Sequence, residues 1–353
     1  MRDGILGLIS TSAQEDGLQG LTEQRPLAAV PFGGRYRIID FMLSGMVNGG
    51  ITAIGVLLQR KYRPLLDYLQ SGKAWDLSCK RDGLTFLPNT YGAEEHCLKT
   101  GNLHTLDRNR EFLLKNQYPY IAIAGTGVVC HLDFCRALAC HKENQAQITL
   151  CTAASKQAEQ ENRTAILAEK QDLEIAIINK DVFIHLLDSA LIKGGQDFFR
   201  DAVQPNVASH RVATYLHDGY AASINSLPSF YRHHMELLER GVWQQLFTQP
   251  DLIYTKEKDE PPALYQPGSC VKHSLIAGGC VVGGTVENSI LFRGVRVQPG
   301  AVVRNCILMN RAIIEQGALV DTVICDKEVR VTAGKMLQGS PSEPAVIKKG
   351  LVM

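Results

Sequence analysis

A short apolar pattern repeats through residues 270–353, and it restricts the possible folds more than any other feature of the chain. A small residue followed by two apolar ones begins at Ser274, Ser289, Cys306 and Thr322, in steps of 15, 17 and 16 residues. An apolar residue three positions before a glycine recurs every 17 residues, at Val297 with Gly300, Ile314 with Gly317, and Val331 with Gly334. Short β-branched runs turned by glycine at a fixed period predict a β-solenoid with coils of about 15–18 residues. A loop-rich tail with repeated glycines is the alternative, but such a tail would not keep register over the copies.

Before about residue 230 the pattern changes to short apolar runs that alternate with amphipathic segments. The runs predict buried strands at 5–10, 53–58, 120–125 and 147–155, and the segments between them predict helices around 41–49, 62–70, 101–116 and 133–144. Such alternation indicates a parallel or mixed sheet covered on both faces, with ligands bound beyond the carboxyl ends of the strands. A last amphipathic helix is predicted over 228–247. We therefore expect an α/β domain over 1–250, a proline-bearing connector over 251–269 and the solenoid over 270–353.

The overall composition excludes several classes of function. Lys and Arg total 37 against 36 Asp and Glu, which indicates neither a nucleic-acid binder nor a protein of anionic membranes. The chain begins with too short an apolar run for a signal peptide and has no apolar run of about 18 residues. The ten cysteines form no paired motif typical of zinc, and the cluster Cys130, Cys135 and Cys140 is a weak candidate for a metal site. We expect a cytoplasmic protein with reduced thiols.

Three segments resemble the glucose-1-phosphate adenylyltransferase (ADP-glucose pyrophosphorylase) family. They are VPFGGRYRIIDFMLSGMVNGGI at 30–51, IYTKEKDEPPALY at 253–265 and HSLIAGGCVVGGTVENSILFRGVRV at 273–297. The resemblance covers nearly the whole chain. It implies a doubly wound, Rossmann-like nucleotidyltransferase domain followed by a left-handed parallel β-helix of hexapeptide-type repeats. It also implies assembly into tetramers and synthesis of ADP-glucose for glycogen or starch.

The chemistry of that family requires groups that this sequence lacks. A phosphate oxygen of glucose-1-phosphate attacks the α-phosphorus of ATP, so catalysis needs close glycine backbone, cations on the departing pyrophosphate and carboxylates that hold Mg²⁺. The phosphate cradle of the family falls on SAQEDGL at 12–18, where its arginine becomes Gly17 and two carboxylates, Glu15 and Asp16, enter the loop. The family's pyrophosphate-binding lysine becomes Leu27.

Both metal-binding aspartates of the family are also replaced. The first falls on Thr126, and the second aligns with Ser223, although Asp218 lies only five residues upstream. A hydroxyl adds no negative charge, so Mg²⁺ binding should be nearly abolished. These losses resemble the non-catalytic partner subunit (GlgD-type) that accompanies a catalytic subunit in some bacterial glycogen pathways. We therefore expect no catalytic residue and no cofactor in this chain, and Mg²⁺ only in the catalytic partner.

Some positions of the family's binding sites are retained. Arg25 and Arg37 match its effector-binding arginines, and their forked donors suit a sugar phosphate or a nucleotide phosphate. Structural ion pairing, near Asp40 or with a neighbouring subunit, is an equally weighted alternative. Gln59, Thr100 and Gly101 match a nucleotide or sugar pocket, although ordinary packing explains such residues more often.

The leading hypothesis is thus a regulatory, catalytically silent subunit, in a heterotetramer with a catalytic ADP-glucose pyrophosphorylase paralogue. A rival is a self-sufficient nucleotidyltransferase acting on another sugar phosphate, with Asp16 or Asp218 recruited for metal. The third and weakest hypothesis is a hexapeptide-repeat acyltransferase, for which His273 is the one histidine of the repeats.

Overall fold

The computed structural model describes residues 4–11, 16–18, 20–59, 61–79, 82–89, 101–154, 170–248 and 251–353. The chain divides into two compact units, and each unit is discontinuous in sequence. The first comprises Met1–Ala13, Ile39–Ser223 and Asp251–Tyr254, and the second comprises Gln14–Ile38, Ile224–Pro250 and Thr255–Met353. The loop that carries Arg25 and Arg37 therefore belongs to the same unit as the repeats.

The strands that precede the repeats begin and end as follows: β1 Ile5–Ser10, β2 Pro31–Phe32, β3 Tyr36–Arg37, β4 Ala53–Leu58, β5 Gly83–Pro88, β6 Tyr120–Gly125, β7 Val128–Cys130, β8 Ile148–Ala154, β9 Lys170–Asn179, β10 Val212–His217 and β11 Ala221–Ser223. The α-helices are α1 Ile38–Asn48, α2 Arg63–Leu69, α3 Asn102–Arg108, α4 Arg110–Lys115, α5 Phe134–Glu143, α6 Lys180–Ile192, α7 Leu227–Glu236 and α8 Arg240–Phe247. Strands β1, β4 and β6 have the bounds that the sequence predicts.

A seven-stranded sheet forms the first unit, in the order β10-β8-β9-β6-β1-β4-β5. Neighbouring strands are parallel except β9, which runs antiparallel to both β6 and β8. Every residue of β1 and of β4 is buried, because both strands are unbroken apolar runs covered on two faces. Since β1 lies parallel to β4 and β6, the carboxyl ends of these three strands meet at one edge of the sheet.

One helix predicted over 101–116 is two helices, α3 and α4. The break falls at Asn109, whose side-chain amide donates to the carbonyl of Thr105 at 2.8 Å and to that of Pro88 at 3.0 Å. A side chain that bonds the backbone in this way competes with helix continuation. The helix predicted over 228–247 is likewise divided into α7 and α8.

The repeats form the predicted solenoid. Their strands are β12 Leu264–Tyr265, β13 Cys270–Lys272, β14 Leu275–Ile276, β15 Val281–Val282, β16 Thr285–Glu287, β17 Ile290–Leu291, β18 Arg296–Val297, β19 Val302–Arg304, β20 Ile307–Leu308, β21 Ile313–Ile314, β22 Leu319–Asp321, β23 Val323–Cys325, β24 Arg330–Val331, β25 Met336–Gln338 and β26 Ala345–Ile347. They make three parallel five-stranded sheets, in which each strand pairs with its counterparts in the adjacent coils. The sequence pattern is the inward row of these coils: Val297, Ile314 and Val331 are at most 1% exposed. Gly300, Gly317 and Gly334 have φ of 75°, 70° and 70°, a conformation that explains the glycine at each of these turns.

A polar row runs along the coils beside this apolar core. His273 contacts the Asn288 side chain at 3.0 Å, Asn288 donates to Asn305 at 2.7 Å, and Asn305 donates to Asp321 at 2.9 Å. Because His273 begins this row of structural hydrogen bonds, the contact supports a packing role for the imidazole.

Helix α7 and the loop at 20–37 pack with the repeats in the second unit. The hydroxyl of Tyr231 donates to the carbonyl of Asn305 at 2.8 Å. His234 is fully buried and its Nε2 accepts the backbone N–H of Gly33 at 3.3 Å. Helix α7 thereby fixes the turn that leads into Arg37. Across the described ranges, no helix is both long enough and apolar enough to cross a membrane.

Candidate functional site

Hydroxyl and amide side chains lie at the carboxyl ends of β1, β4 and β6, where the doubly wound fold predicts a ligand site. The Thr126 hydroxyl, fully buried, donates to the carbonyl of Ser10 at 3.4 Å. Asn102 donates to the Ser10 hydroxyl at 3.1 Å and to an Asp197 carboxylate oxygen at 3.0 Å. The strand ends are thus tied together by neutral hydrogen bonds, with a carboxylate beside them.

A second carboxylate, Glu174, reaches the same edge of the sheet from β9. Its φ is 52°, unusual for a residue other than glycine. A Cβ built on Gly125, the last residue of β6, would lie 2.7 Å from the Glu174 Oε2. Burial, followed by repulsion from Asp197 and Asp172, raises the pKa of Glu174 above its ordinary value. Glu174 was not predicted as a site residue from the sequence, because β9 itself was not predicted.

The residues assigned to a vestigial pocket have mainly structural contacts. Gln59 donates to the Thr105 hydroxyl at 3.3 Å, and that hydroxyl donates to the carbonyl of Gly101 at 3.3 Å. Gly101 has φ of 143°, and a Cβ there would lie 2.2 Å from the carbonyl oxygen of Gln196. Thr100 lies outside the described residues. Gln59 and Gly101 are thus linked through Thr105 of α3, and the close approach of Gly101 to Gln196 requires the glycine.

The positions that depart from the family's catalytic pattern lie in ordinary structural surroundings. A Cβ on Gly17 would lie 2.3 Å from the carbonyl oxygen of Asn225, so a side chain there requires the backbone to move. Leu27 is fully buried in a short 3-10 helix, Leu27–Ala29. Ser223 pairs with Val128 between β11 and β7. Gln14 and Glu15 lie outside the described residues.

The donor set at the two positions that the sequence aligns with metal-binding aspartates does not suit Mg²⁺. Thr126 and Ser223 offer hydroxyls, and the Thr126 hydroxyl already donates to a backbone carbonyl. Asp218 is exposed. No group of three or more His, Cys, Asp or Glu side chains within the described residues is placed to hold a metal ion, and this includes the cysteines near α5. Mg²⁺ prefers several oxygen ligands with charged carboxylates among them, which these positions do not provide.

The second unit has a basic cluster around Arg25. Its guanidinium, 5% exposed, donates to Asp326 Oδ1 at 2.8 Å. The same oxygen accepts the backbone N–H of Lys327 at 2.7 Å. The Arg25 Nε is buried and has no hydrogen-bond partner among the described residues. Arg25 is therefore paired through one nitrogen and unsatisfied through another.

Lys327 shows how strongly positive this cluster is. Burial and the neighbouring charges of Arg37 and Arg25 lower the pKa of Lys327 to about 7, while Asp326 opposes the shift and Lys349 adds to it. Burial is the largest cause of this shift, and among the charges the two arginines outweigh Asp326. The structure thus brings Arg25 and Arg37 together with Lys327, which the sequence analysis did not single out.

Two family models match the chain. A nucleotidyl transferase model matches residues 16–220, and a GlmU-like C-terminal hexapeptide model matches residues 265–343. Together with the three parallel sheets, these matches confirm the predicted fold, a nucleotidyltransferase domain followed by a left-handed β-helix.

Similar proteins include two with the same descriptive name. The chain is 36% identical over 348 residues to a glycogen biosynthesis protein GlgD of Bacillus subtilis (strain 168), covering 99% of this chain and 96% of that protein. It is 39% identical over 352 residues to a protein of that name from Geobacillus stearothermophilus, covering 100% of this chain and 98% of the relative. A glucose-1-phosphate adenylyltransferase of Geobacillus stearothermophilus is 29% identical over 328 residues, covering 86% of this chain and 84% of that enzyme.

Proposed function

The chain belongs to the GlgD family of glycogen biosynthesis proteins, and we propose that it is the regulatory, catalytically silent subunit of an ADP-glucose pyrophosphorylase. In this proposal it assembles with a catalytic paralogue as a cytoplasmic heterotetramer. The paralogue binds Mg²⁺ and converts ATP and glucose-1-phosphate to ADP-glucose and pyrophosphate.

The observation that carries the proposal is the chemistry at the carboxyl ends of the strands. Nucleotidyl transfer requires positive charge where phosphate charge moves and carboxylates only where a metal neutralises them. Here the hydroxyl of Thr126 stands where the sequence resemblance aligns a metal-binding aspartate, and the carboxylates of Glu174 and Asp197 lie at this edge of the sheet without forming a metal-binding group of described residues. Negative charge so placed opposes the binding of a triphosphate.

Regulation is assigned to the basic cluster of Arg25, Arg37 and Lys327. Arg25 is paired with Asp326 through one nitrogen, so the structural alternative accounts for part of its role. Among the charges that act on Lys327, those of Arg37 and Arg25 outweigh that of Asp326. A sugar phosphate or nucleotide phosphate would relieve this excess at the loop 20–37, which carries both arginines. Coupling of that loop to the catalytic subunit then changes the activity of the partner.

The direct test compares the catalytic paralogue alone, this chain alone and the co-purified complex. ADP-glucose synthesis is measured with and without sugar-phosphate effectors, and native mass spectrometry gives the stoichiometry. We expect no synthesis by this chain alone and a changed turnover, substrate affinity or effector response in the complex. The Arg37→Gln variant should assemble normally but lose the effector response.

Two results would reject the proposal. One is a complex with the same kinetics as the catalytic paralogue by itself. The other is Mg²⁺-dependent release of pyrophosphate by this chain alone, which would favour a self-sufficient nucleotidyltransferase.

A further inference from the structure

A pocket of about 400 Å³ lies within the second unit, distinct from the Arg25–Asp326 ion pair. One side is formed by the Gly33–Gly34 turn and by Arg35 and Tyr36 after it, and another by the edge strand β14. Gly34 has φ of 84°, and a Cβ there would lie 2.6 Å from the Leu275 side chain. The turn and the first coil are therefore in close contact, and the pocket opens beside that contact. Its volume is within the range of small-molecule sites.

Aromatic rings form one wall of the pocket. Tyr36 and Phe247 are stacked, with ring centroids 5.0 Å apart and an interplanar angle of 16°. Trp243 packs against Phe247 at 5.7 Å, yet it stays 40% exposed. An indole held in place by a neighbouring ring and open to solvent offers a flat surface on which a planar ligand can stack.

Cations also line the pocket. These cations are Arg35, whose guanidinium lies over the Tyr36 ring at 4.9 Å, Lys258 and Arg293, and Glu260 is the one carboxylate among the described lining residues. Burial, followed by the charges of Arg293, Arg311 and Arg37, lowers the pKa of Lys258. The positive charges here thus repel one another more than Glu260 compensates, which favours an anion in the pocket.

From this combination we propose that the pocket binds a nucleotide, with its base stacked on Trp243 and its phosphate held by Lys258 and Arg293. The aromatic wall alone would suit a neutral ring, and the cations alone would suit any small anion. A planar ring that carries a phosphate uses both walls. Base stacking on aromatic side chains and charge-assisted hydrogen bonds to phosphate are the two interactions that this class of ligand requires.

This inference goes beyond the proposed regulatory function, because the pocket is lined by other residues and requires no catalytic partner, although the charge of Arg37 acts on both Lys258 and Lys327. The basic cluster around Lys327 binds phosphate without an aromatic surface among the contacts described above. Either site could therefore exist without the other. The two are separable by substitution, with Lys258 and Trp243 for the pocket and Lys327 for the cluster.

The test uses the full chain and adenosine 5′-monophosphate as the probe. Trp243 is itself the reporter, because the other tryptophan, Trp75, is 1% exposed. We expect saturable quenching of tryptophan fluorescence in the wild-type chain and its loss in Trp243→Phe, which retains Trp75. In calorimetry, Trp243→Ala and Lys258→Met should each weaken binding by about tenfold or more. Gln245→Ala, an exposed position on α8 outside the pocket, is the control and should bind as the wild type does.

Further ligands and variants separate the possible sources of binding. Ribose 5-phosphate, which lacks the base, and adenosine, which lacks the phosphate, should each bind at least about tenfold more weakly than the nucleotide. Lys327→Met should leave nucleotide binding unchanged. The proposal is overturned by an absence of nucleotide binding, by equal binding of ribose 5-phosphate, or by binding that Lys327→Met abolishes and the pocket variants do not affect.

Discussion

Acidification should destabilise the second unit through His234. This imidazole is fully buried among Phe32, Phe230 and Phe292, with ring centroids 4.4, 4.2 and 6.1 Å away. Its Nδ1–H donates to the carbonyl of Phe230 at 2.9 Å, and its Nε2 accepts from Gly33. Both hydrogen bonds require the neutral ring in one tautomer, so protonation removes the acceptor for Gly33 and places a charge among aromatic rings.

The size of the effect follows from the pKa of His234. Burial, with a smaller contribution from His233, lowers this pKa from 6.5 to about 3. The folded state then binds fewer protons than the unfolded state below pH 6.5, so the free energy of unfolding falls as the pH falls. Each pH unit in that window costs about 1.4 kcal/mol, and the loss between pH 7.5 and pH 5 is about 2 kcal/mol.

The assay is urea unfolding at several pH values, together with hydrogen exchange of peptides that cover α7 and α8. In His234→Gln the side chain is neutral and does not titrate, so its stability should be lower at pH 7.5 but should depend less on pH. The two stability curves should converge by about 2 kcal/mol between pH 7.5 and pH 5. His185→Gln, at an exposed position, serves as control and should keep the wild-type slope. Parallel curves for the wild type and His234→Gln would refute the reasoning.

Three further predictions concern other parts of the chain. Glucose-1-phosphate should bind the chain more tightly at pH 6 than at pH 8, because an anion favours protonated Lys327. Titration calorimetry should show that the ratio of the affinities at the two pH values is about tenfold smaller in Lys327→Met. An unchanged ratio would contradict the assignment. Gly101→Ala should destabilise the first unit by at least about 2 kcal/mol in thermal unfolding, because the new Cβ would meet a backbone carbonyl. The control Gly194→Ala, which has open space around it, should cost about 1 kcal/mol. Equal losses would show that the close approach at Gly101 is unimportant. Ile314→Ala should lower the free energy of unfolding in urea by about 2–5 kcal/mol, because Ile314 is fully buried. Ile313 is half-buried, so Ile313→Ala should cost clearly less. The reverse order would contradict the assigned inward row.

Much of the fold could be predicted because its strands are locally distinctive. β1, β4 and β6 are unbroken apolar runs, and the sequence predicts their bounds directly. The repeats are equally readable, since each coil repeats the same inward residues and the same turn glycine. β9 was missed because its apolar part is short and follows charged residues, and Glu174 within it has a backbone conformation that strand patterns do not contain.

The candidate sites were less predictable because they depend on contacts between distant parts of the chain. Arg25 and its partner Asp326 are 301 residues apart, and no local pattern connects them. Asp326 and Lys327 come directly after the buried strand β23, so this charged pair could have been noted in the sequence. The aromatic wall likewise combines Tyr36 from β3 with Trp243 and Phe247 from α8. Only folding brings these residues together.

The single oxygen that joins Arg25 to Lys327 sets a limit on how this region can evolve. Asp326 Oδ1 holds the guanidinium and also caps the backbone N–H of the next residue. An anion that binds Arg25 must compete with this carboxylate. The affinity for the ligand and the stability of the fold therefore depend on the same oxygen atom. Replacing Asp326 with asparagine would increase the affinity for an anion and decrease the stability of the fold. Natural variation at this position should therefore be accompanied by changes in the cations around it.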